Sequence, residues 1–100
     1  QSTPGHPGVL LQLARVQLDH QQFQECKETL QEVDRIEKKS EGEDKRWRVE
    51  RDKLMIQLAI DTEDFDGATH HLGRARSMPI VLQNEMRRKI EAARAYAGKR

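Results

Sequence analysis

Asp61, Glu63, Asp64 and Asp66 crowd the chain just ahead of Gly67, which is the composition of a calcium loop. An EF-hand takes its glycine at the sixth of twelve positions, with a carboxylate first and a bidentate Glu last. Set on Gly67, that frame puts Thr62 first and Gly73 last, and neither supplies the ligand required. The same carboxylates suit a simpler task. At a helix start they cap free N–H groups and meet the positive end of the dipole. The stretch reads as an acidic turn that opens a helix.

His70 and His71 are adjacent, so on a helix they point about 100° apart and cannot both grip one metal. A zinc helix needs i, i+4 spacing with a Glu between, as in H-E-x-x-H. Neither His6 nor His20 stands at a spacing that adds a third ligand. They read as surface or interface histidines. Cys26 is the only cysteine, so no intrachain disulfide can form and nothing indicates an oxidising compartment. It falls on an apolar helical stripe, with Lys27 turned away, and reads as core rather than nucleophile. No Gly-rich phosphate loop, G-x-S-x-G or carboxylate pair occurs. The expectation is a non-catalytic protein without cofactor or metal.

Charge is unevenly distributed. Residues 1–73 hold 10 Lys+Arg against 15 Asp+Glu, and residues 74–100 hold 8 against 2. Such a split can steer an acidic partner to one end, or the basic end of one copy to the acidic end of another. The basic patch is Arg87, Arg88, Lys89, Arg94, Lys99 and Arg100. For nucleic acid it offers phosphate contacts but only Tyr96 for stacking. It can equally be a solvated face or a contact for an acidic protein. Trp47, flanked by Arg46 and Arg48, lies on one helical line with Leu54 and Leu58. That line favours a core position over an exposed anchor.

The elements that must position these residues are helices. Charged residues and the hydrophobic class are each 35% of the chain, and Gly and Pro are scarce, so the composition predicts an all-α fold. One hundred residues allow a single domain with a thin core. No apolar run nears the ~18–20 residues of a membrane span, and QSTPGHPG has no signal-peptide pattern. We expect a soluble, cytoplasmic protein, and the missing initiator Met points to a segment of a longer one.

Residues 1–8 read as a flexible lead-in. The periodicity then predicts helices over about 9–19, 22–38, 44–62, 65–77 and 79–97, with a loop at Ser40–Asp44. Leu10, Leu11, Leu13, Ala14, Val16 and Leu18 cover most of the first helix, which predicts burial on more than one side. Phe23, Cys26, Leu30, Val33 and Ile36 form one clean stripe on the second. The charged half of the third, Lys45 to Lys53, is expected to project beyond the packed region. Asp64 is the expected N-cap of the fourth helix, and Pro79 opens the fifth.

The chain also repeats itself. Leu18 to Cys26 lies over Ile60 to Ala68 at a spacing of 42, with Leu30 over Leu72 and Val33 over Ala75. Short connections force neighbouring helices antiparallel, and hairpins that each leave a stripe for the next to cover make a short stacked solenoid rather than a closed bundle. Leu13-Ala14, Cys26, Leu30 and Val33, then Met55-Ile56, Ala68, Leu72, Ala75 and Pro79, resemble the layout of a tetratricopeptide-type helical repeat. Ile90 and Ala93 would begin a third. Gln17, Ile56 and Lys38 depart from the family's aromatic, small and proline positions. The period of 42 exceeds the family's 34, the excess lying between Glu37 and Arg46. This resembles the irregular repeats of PCI-type proteasome-lid and signalosome subunits.

The resemblance implies a right-handed solenoid of about five helices: repeat one at 9–38, repeat two at 44–78 and an extra helix at 79–97. It further implies a groove lined by the first helix of each pair, here Leu11, Gln12, Arg15, Lys53, Gln57, Arg87, Arg88, Glu91 and Arg94. Matching positions hold no Asn, so a clamp for a terminal carboxylate is not implied, whereas an acidic peptide segment is. The expected function is a non-catalytic protein-interaction or scaffold module, with neighbouring repeats of a longer chain as further contacts. The alternatives are a nucleic-acid-binding helical domain using residues 74–100 and a purely structural segment of a larger solenoid.

Overall fold

The computed structural model describes residues 7–39 and 47–99. They form α1 (Pro7–Asp19), α2 (Phe23–Lys39), α3 (Trp47–Asp61), α4 (Phe65–Arg74) and α5 (Ile80–Gly98). Among the described residues there is no strand, so the fold is all-α as expected. None of these helices is long and apolar enough to cross a membrane. Residues 1–6 of the expected lead-in, the Ser40–Asp44 loop, Lys45, Arg46 and Arg100 lie outside the described residues. Pro7 and Gly8 belong to α1 rather than to a lead-in. Proline is suited to a first helical turn, where its missing N–H breaks no bond.

The ends of α1 and α3 are built alike. Gln21 N–H donates to the Leu18 carbonyl at 3.0 Å and Gln22 N–H to the Gln17 carbonyl at 2.8 Å. Forty-two residues on, Glu63 donates to Ile60 at 3.0 Å and Asp64 to Ala59 at 2.7 Å. This paired bonding is the Schellman arrangement, which satisfies carbonyls left free at a helix end and requires a left-handed residue. Gln21 and Glu63 fill that place, with φ of 60° and 61°. Asp64 then caps α4 as expected, its Oδ1 accepting from Gly67 N–H at 3.0 Å. Gly67 is needed there: a Cβ would lie 2.2 Å from Asp64 Oδ2.

α4 stops at Arg74, short of the expected Ser77. Pro79 disfavours helical backbone at Met78, and the turn instead folds Ala75 and Met78 into the core at 2% and 3% exposure. Pro79 opens α5, with Gln83 Nε2 donating to the Met78 carbonyl at 2.8 Å.

Two apolar clusters form the core. Leu11, Ala14 and Leu18 of α1 meet Cys26, Leu30 and Val33 of α2 and Leu54 of α3. Ile56 and Ala59 of α3 meet Ala68, Leu72 and Ala75, then Met78, Met86 and Ile90. Thus α3 contributes to both, and it packs against each of the other four helices, whereas α2 and α4 do not touch, nor do α1 and α5. One buried hydroxyl crosses the α1–α2 seam: Thr29 Oγ1 donates to Gln17 Oε1 at 2.7 Å. This gives Gln17 a structural task.

Two further expectations fail. Val9, Leu13 and Val16 are 60%, 46% and 52% exposed, so α1 is buried on one side only. The described part of the charged half of α3 does not project. From Trp47 onward it is half-buried, with Arg48 and Arg51 paired across to α2 and Glu50 to Arg15 of α1.

Candidate functional site

Where α2 and α4 stand apart over α3, a cleft of about 470 Å³ opens. Phe23 and Leu30 of α2 and Met55, Leu58 and Ala59 of α3 give it an apolar floor, and Asp64 and His71 close the far wall. Asp34, Met55 and His71 are shared with an adjoining cleft of about 280 Å³, lined further by Glu37, Lys38, Arg51, Asp52 and Arg74. The result is one depression, apolar at one end and ionic at the other.

Arg51 organises the ionic end. Its Nη1 lies 2.7 Å from Asp34 Oδ1 and 2.5 Å from Glu37 Oε1, and its Nε lies 2.9 Å from Asp52 Oδ1. Its guanidinium stacks 5.8 Å from the Trp47 ring centre. Planar charge, a donor fork and an aromatic face are what arginine can satisfy together and lysine cannot. Arg48 adds a second ionic contact to Glu37 through Nε, close in distance but without hydrogen-bond geometry.

The protonation energies around Arg51 diverge. Burial works to raise Glu37, but the hydrogen bond and charge of Arg51, with the charge of Arg48, outweigh it and hold the carboxyl below its ordinary range. Burial raises Asp52, and although Arg51 opposes this, the neighbouring charges of Glu37 and Asp34 add to it. Burial, then His70, pushes the His71 imidazole down, so it faces the cleft neutral. Lys27, Lys38 and Arg74 also line the cleft with no ion pair among the described residues, while Asp64, of opposite sign, caps α4 through its carboxylate.

Other candidate residues are placed as follows. Cys26 is fully buried in the first cluster, and burial, then the charge of Asp61, raises its thiol. The rings of His70 and His71 sit edge-on, 6.0 Å apart. Among the described residues no three His, Cys, Asp or Glu side chains are grouped to hold a metal ion. Trp47 packs, half-buried, against the first cluster.

The nine expected groove residues are spread over α1, α3 and α5. Leu11 is a correction: at 4% exposure it is core, because it lies on the side of α1 that carries Ala14 and Leu18. Gln12 is exposed on α1, and Arg15 reaches Glu50 of α3 at 3.8 Å. Lys53 is half-buried on α3, and Gln57 Nε2 donates to Asp61 Oδ1 at 2.8 Å. Arg87, Glu91 and Arg94 come together elsewhere, lining a cleft of about 310 Å³ with Thr69 and Gly73 of α4. There Arg94 lies 3.5 Å from Asp66 Oδ1 and 6.0 Å from the Phe65 ring centre. Arg88 is exposed.

Sequence reasoning passed over the α2–α3–α4 cleft. A signal was present: Trp47 and Arg51 stand at i, i+4 and Asp34 and Glu37 at i, i+3, the spacings that put a cation on a ring and two carboxylates on one helix face. No protein-family model matches the chain, and neither a curated protein nor a solved structure does.

Proposed function

We propose that this chain is a non-catalytic protein-interaction module, built as a short tetratricopeptide-like solenoid, which holds a partner segment in the cleft between α2 and α4. One observation carries the reading: the cleft joins an apolar floor to an ionic end at which Lys38 and Arg74 have no ion pair among the described residues. A segment that fits places apolar side chains over Leu30, Met55 and Leu58, and acidic side chains against Lys38 and Arg74. The apolar contacts provide most of the affinity, and the rim sets orientation and partner choice. The solenoid reading draws support from the matched ends of α1 and α3 and from the packing of α3 between its neighbours.

The test is selection from a displayed library of random twelve-residue peptides, run with the wild-type chain and with Lys38→Glu/Arg74→Glu. Both positions are exposed, so the variant keeps its fold. The wild type is expected to enrich peptides that combine apolar residues with Asp or Glu, and the variant to lose the acidic preference. Equal enrichment by both proteins, or none by either, rejects the proposal. Retention of a labelled oligonucleotide that moderate salt releases would favour nucleic-acid binding instead.

A further inference from the structure

Among the described residues, every large exposed apolar side chain lies on α1 or α5: Val9, Leu13 and Val16 on the first, Ile80, Val81 and Tyr96 on the last. These are the two outermost helices, each packed only on its hairpin neighbour and on α3. Val9, Leu13 and Val16 follow i, i+4, i+7 spacing, so they form one stripe. Leu13 is one turn from Gln17, and Gln17 accepts from Thr29 across the seam with α2. One turn to either side of Thr29 stand Glu25 and Glu32, placed on the same helix face by that spacing. The α1 end is therefore an apolar stripe bordered by carboxylates.

The α5 end is its complement. Val81, Arg88, Ala92 and Ala95, seven, four and three residues apart, share a face, with Lys89 and Tyr96 beside them. All six are exposed. Glu85, also exposed, stands within that face one turn from Arg88 and Lys89, and leaves it with a net positive charge. The small side chains permit close helix approach, and Arg88 and Lys89 bring positive charge to Glu25, Glu32 being paired already with Arg35 at 2.7 Å.

We propose that the chain associates head to tail, the α5 face of one copy docking on the α1–α2 end of the next. The two faces differ, so the contact is heterologous and does not close on itself as a two-fold dimer does. It uses neither wall of the α2–α4 cleft and stands independently of the function proposed above. The patches are small, so the expected affinity is weak, on the order of 0.1–1 mM.

Sedimentation velocity over a concentration series up to about 2 mM tests this on three proteins: the wild type, Val16→Lys and Arg88→Glu/Lys89→Glu. All three substitutions fall on exposed positions, and circular dichroism confirms that each variant is folded. The wild type is expected to grow in mass with concentration, and less so at high salt. Each variant alone should associate about tenfold more weakly or not at all. Mixed one to one, the variants should form a heterodimer, because each keeps the face the other has lost. A wild type that stays monomeric throughout overturns the proposal. So does a mixture that stays monomeric while the wild type associates, since that marks a symmetric contact.

Discussion

Gln21 and Glu63 stand 42 residues apart and hold the same left-handed backbone, φ 60° and 61°, at the ends of α1 and α3. The likeness extends to side chains. In its Nδ1-protonated tautomer His20 donates to the Val16 carbonyl at 2.9 Å, and Thr62 Oγ1 donates to Leu58, the matching carbonyl, at 2.9 Å. Two different sequences thus build one helix ending, neither with the glycine that such an ending favours.

Gln21→Gly should therefore stabilise the fold. A residue bearing a Cβ gives up roughly 1–2 kcal/mol in this conformation, and the greater freedom of unfolded glycine returns about 0.4–1 kcal/mol. The expected net gain is about 0.5–1 kcal/mol, read as a higher urea midpoint with unchanged slope. Gln21→Val should move the midpoint down. A glycine variant no more stable than wild type would show that the left-handed backbone is not strained here.

Glu37 and Asp52 hold the same guanidinium, yet neutralising them should have opposite effects. The Glu37 carboxyl is held below its ordinary value, so its contribution is present above the unfolded pKa, roughly 4.3, and lost as pH falls through the folded value. Glu37→Gln should destabilise at pH 7, by an amount that fades under acid. The Asp52 carboxyl is raised, so it favours folding while protonated and loses that contribution as pH rises through the folded value. Asp52→Asn, which keeps the acceptor for Arg51, should stabilise at pH 7 and be neutral in acid. Urea melts at pH 3.5 and pH 7 would decide; shifts of the same sign at pH 7 would refute the assignment.

The cap of α4 offers a coupled test. Asp64→Ala removes the acceptor for Gly67 N–H and should cost about 1 kcal/mol. In Gly67→Ala the new methyl would sit 2.2 Å from Asp64 Oδ2, so the carboxylate must swing away and the cap is lost. Alanine's higher helix propensity, worth about 1 kcal/mol, offsets this. With no carboxylate to displace, Gly67→Ala should stabilise the Asp64→Ala background by about 1 kcal/mol. Additive effects of the two substitutions would mean that the capping bond carries no energy.

Much of this was legible in the residues. Helical periodicity located all five helices, the repeat foretold the matched turns, and Asp64 and Pro79 announced their helix starts. Cys26 fell where the apolar stripe put it. Period alone states which residues share a face, and not which face receives a neighbour. Hence Leu13 and Val16 looked like core but are exposed, and Leu11 was assigned to an open groove but is buried. The described part of the charged half of α3 looked destined for solvent for a related reason. The carboxylates that draw it inward, Asp34 and Glu37, sit on another helix, and that pairing depends on tertiary geometry. The end of α4 was misplaced because the burial of Met78, and with it the turn after Ala75, is set by α5.

α3 lends Leu54 to one apolar cluster and Ile56 and Ala59 to the other, and this orders how the molecule can come apart. The α1–α2 hairpin can lift away at the expense of one cluster, and α4–α5 at the expense of the other. Unwinding α3 breaches both at once. Partial opening is therefore cheapest from the two outer ends and dearest at the middle, so amide protons of α3 should exchange last, at close to the free energy of complete unfolding.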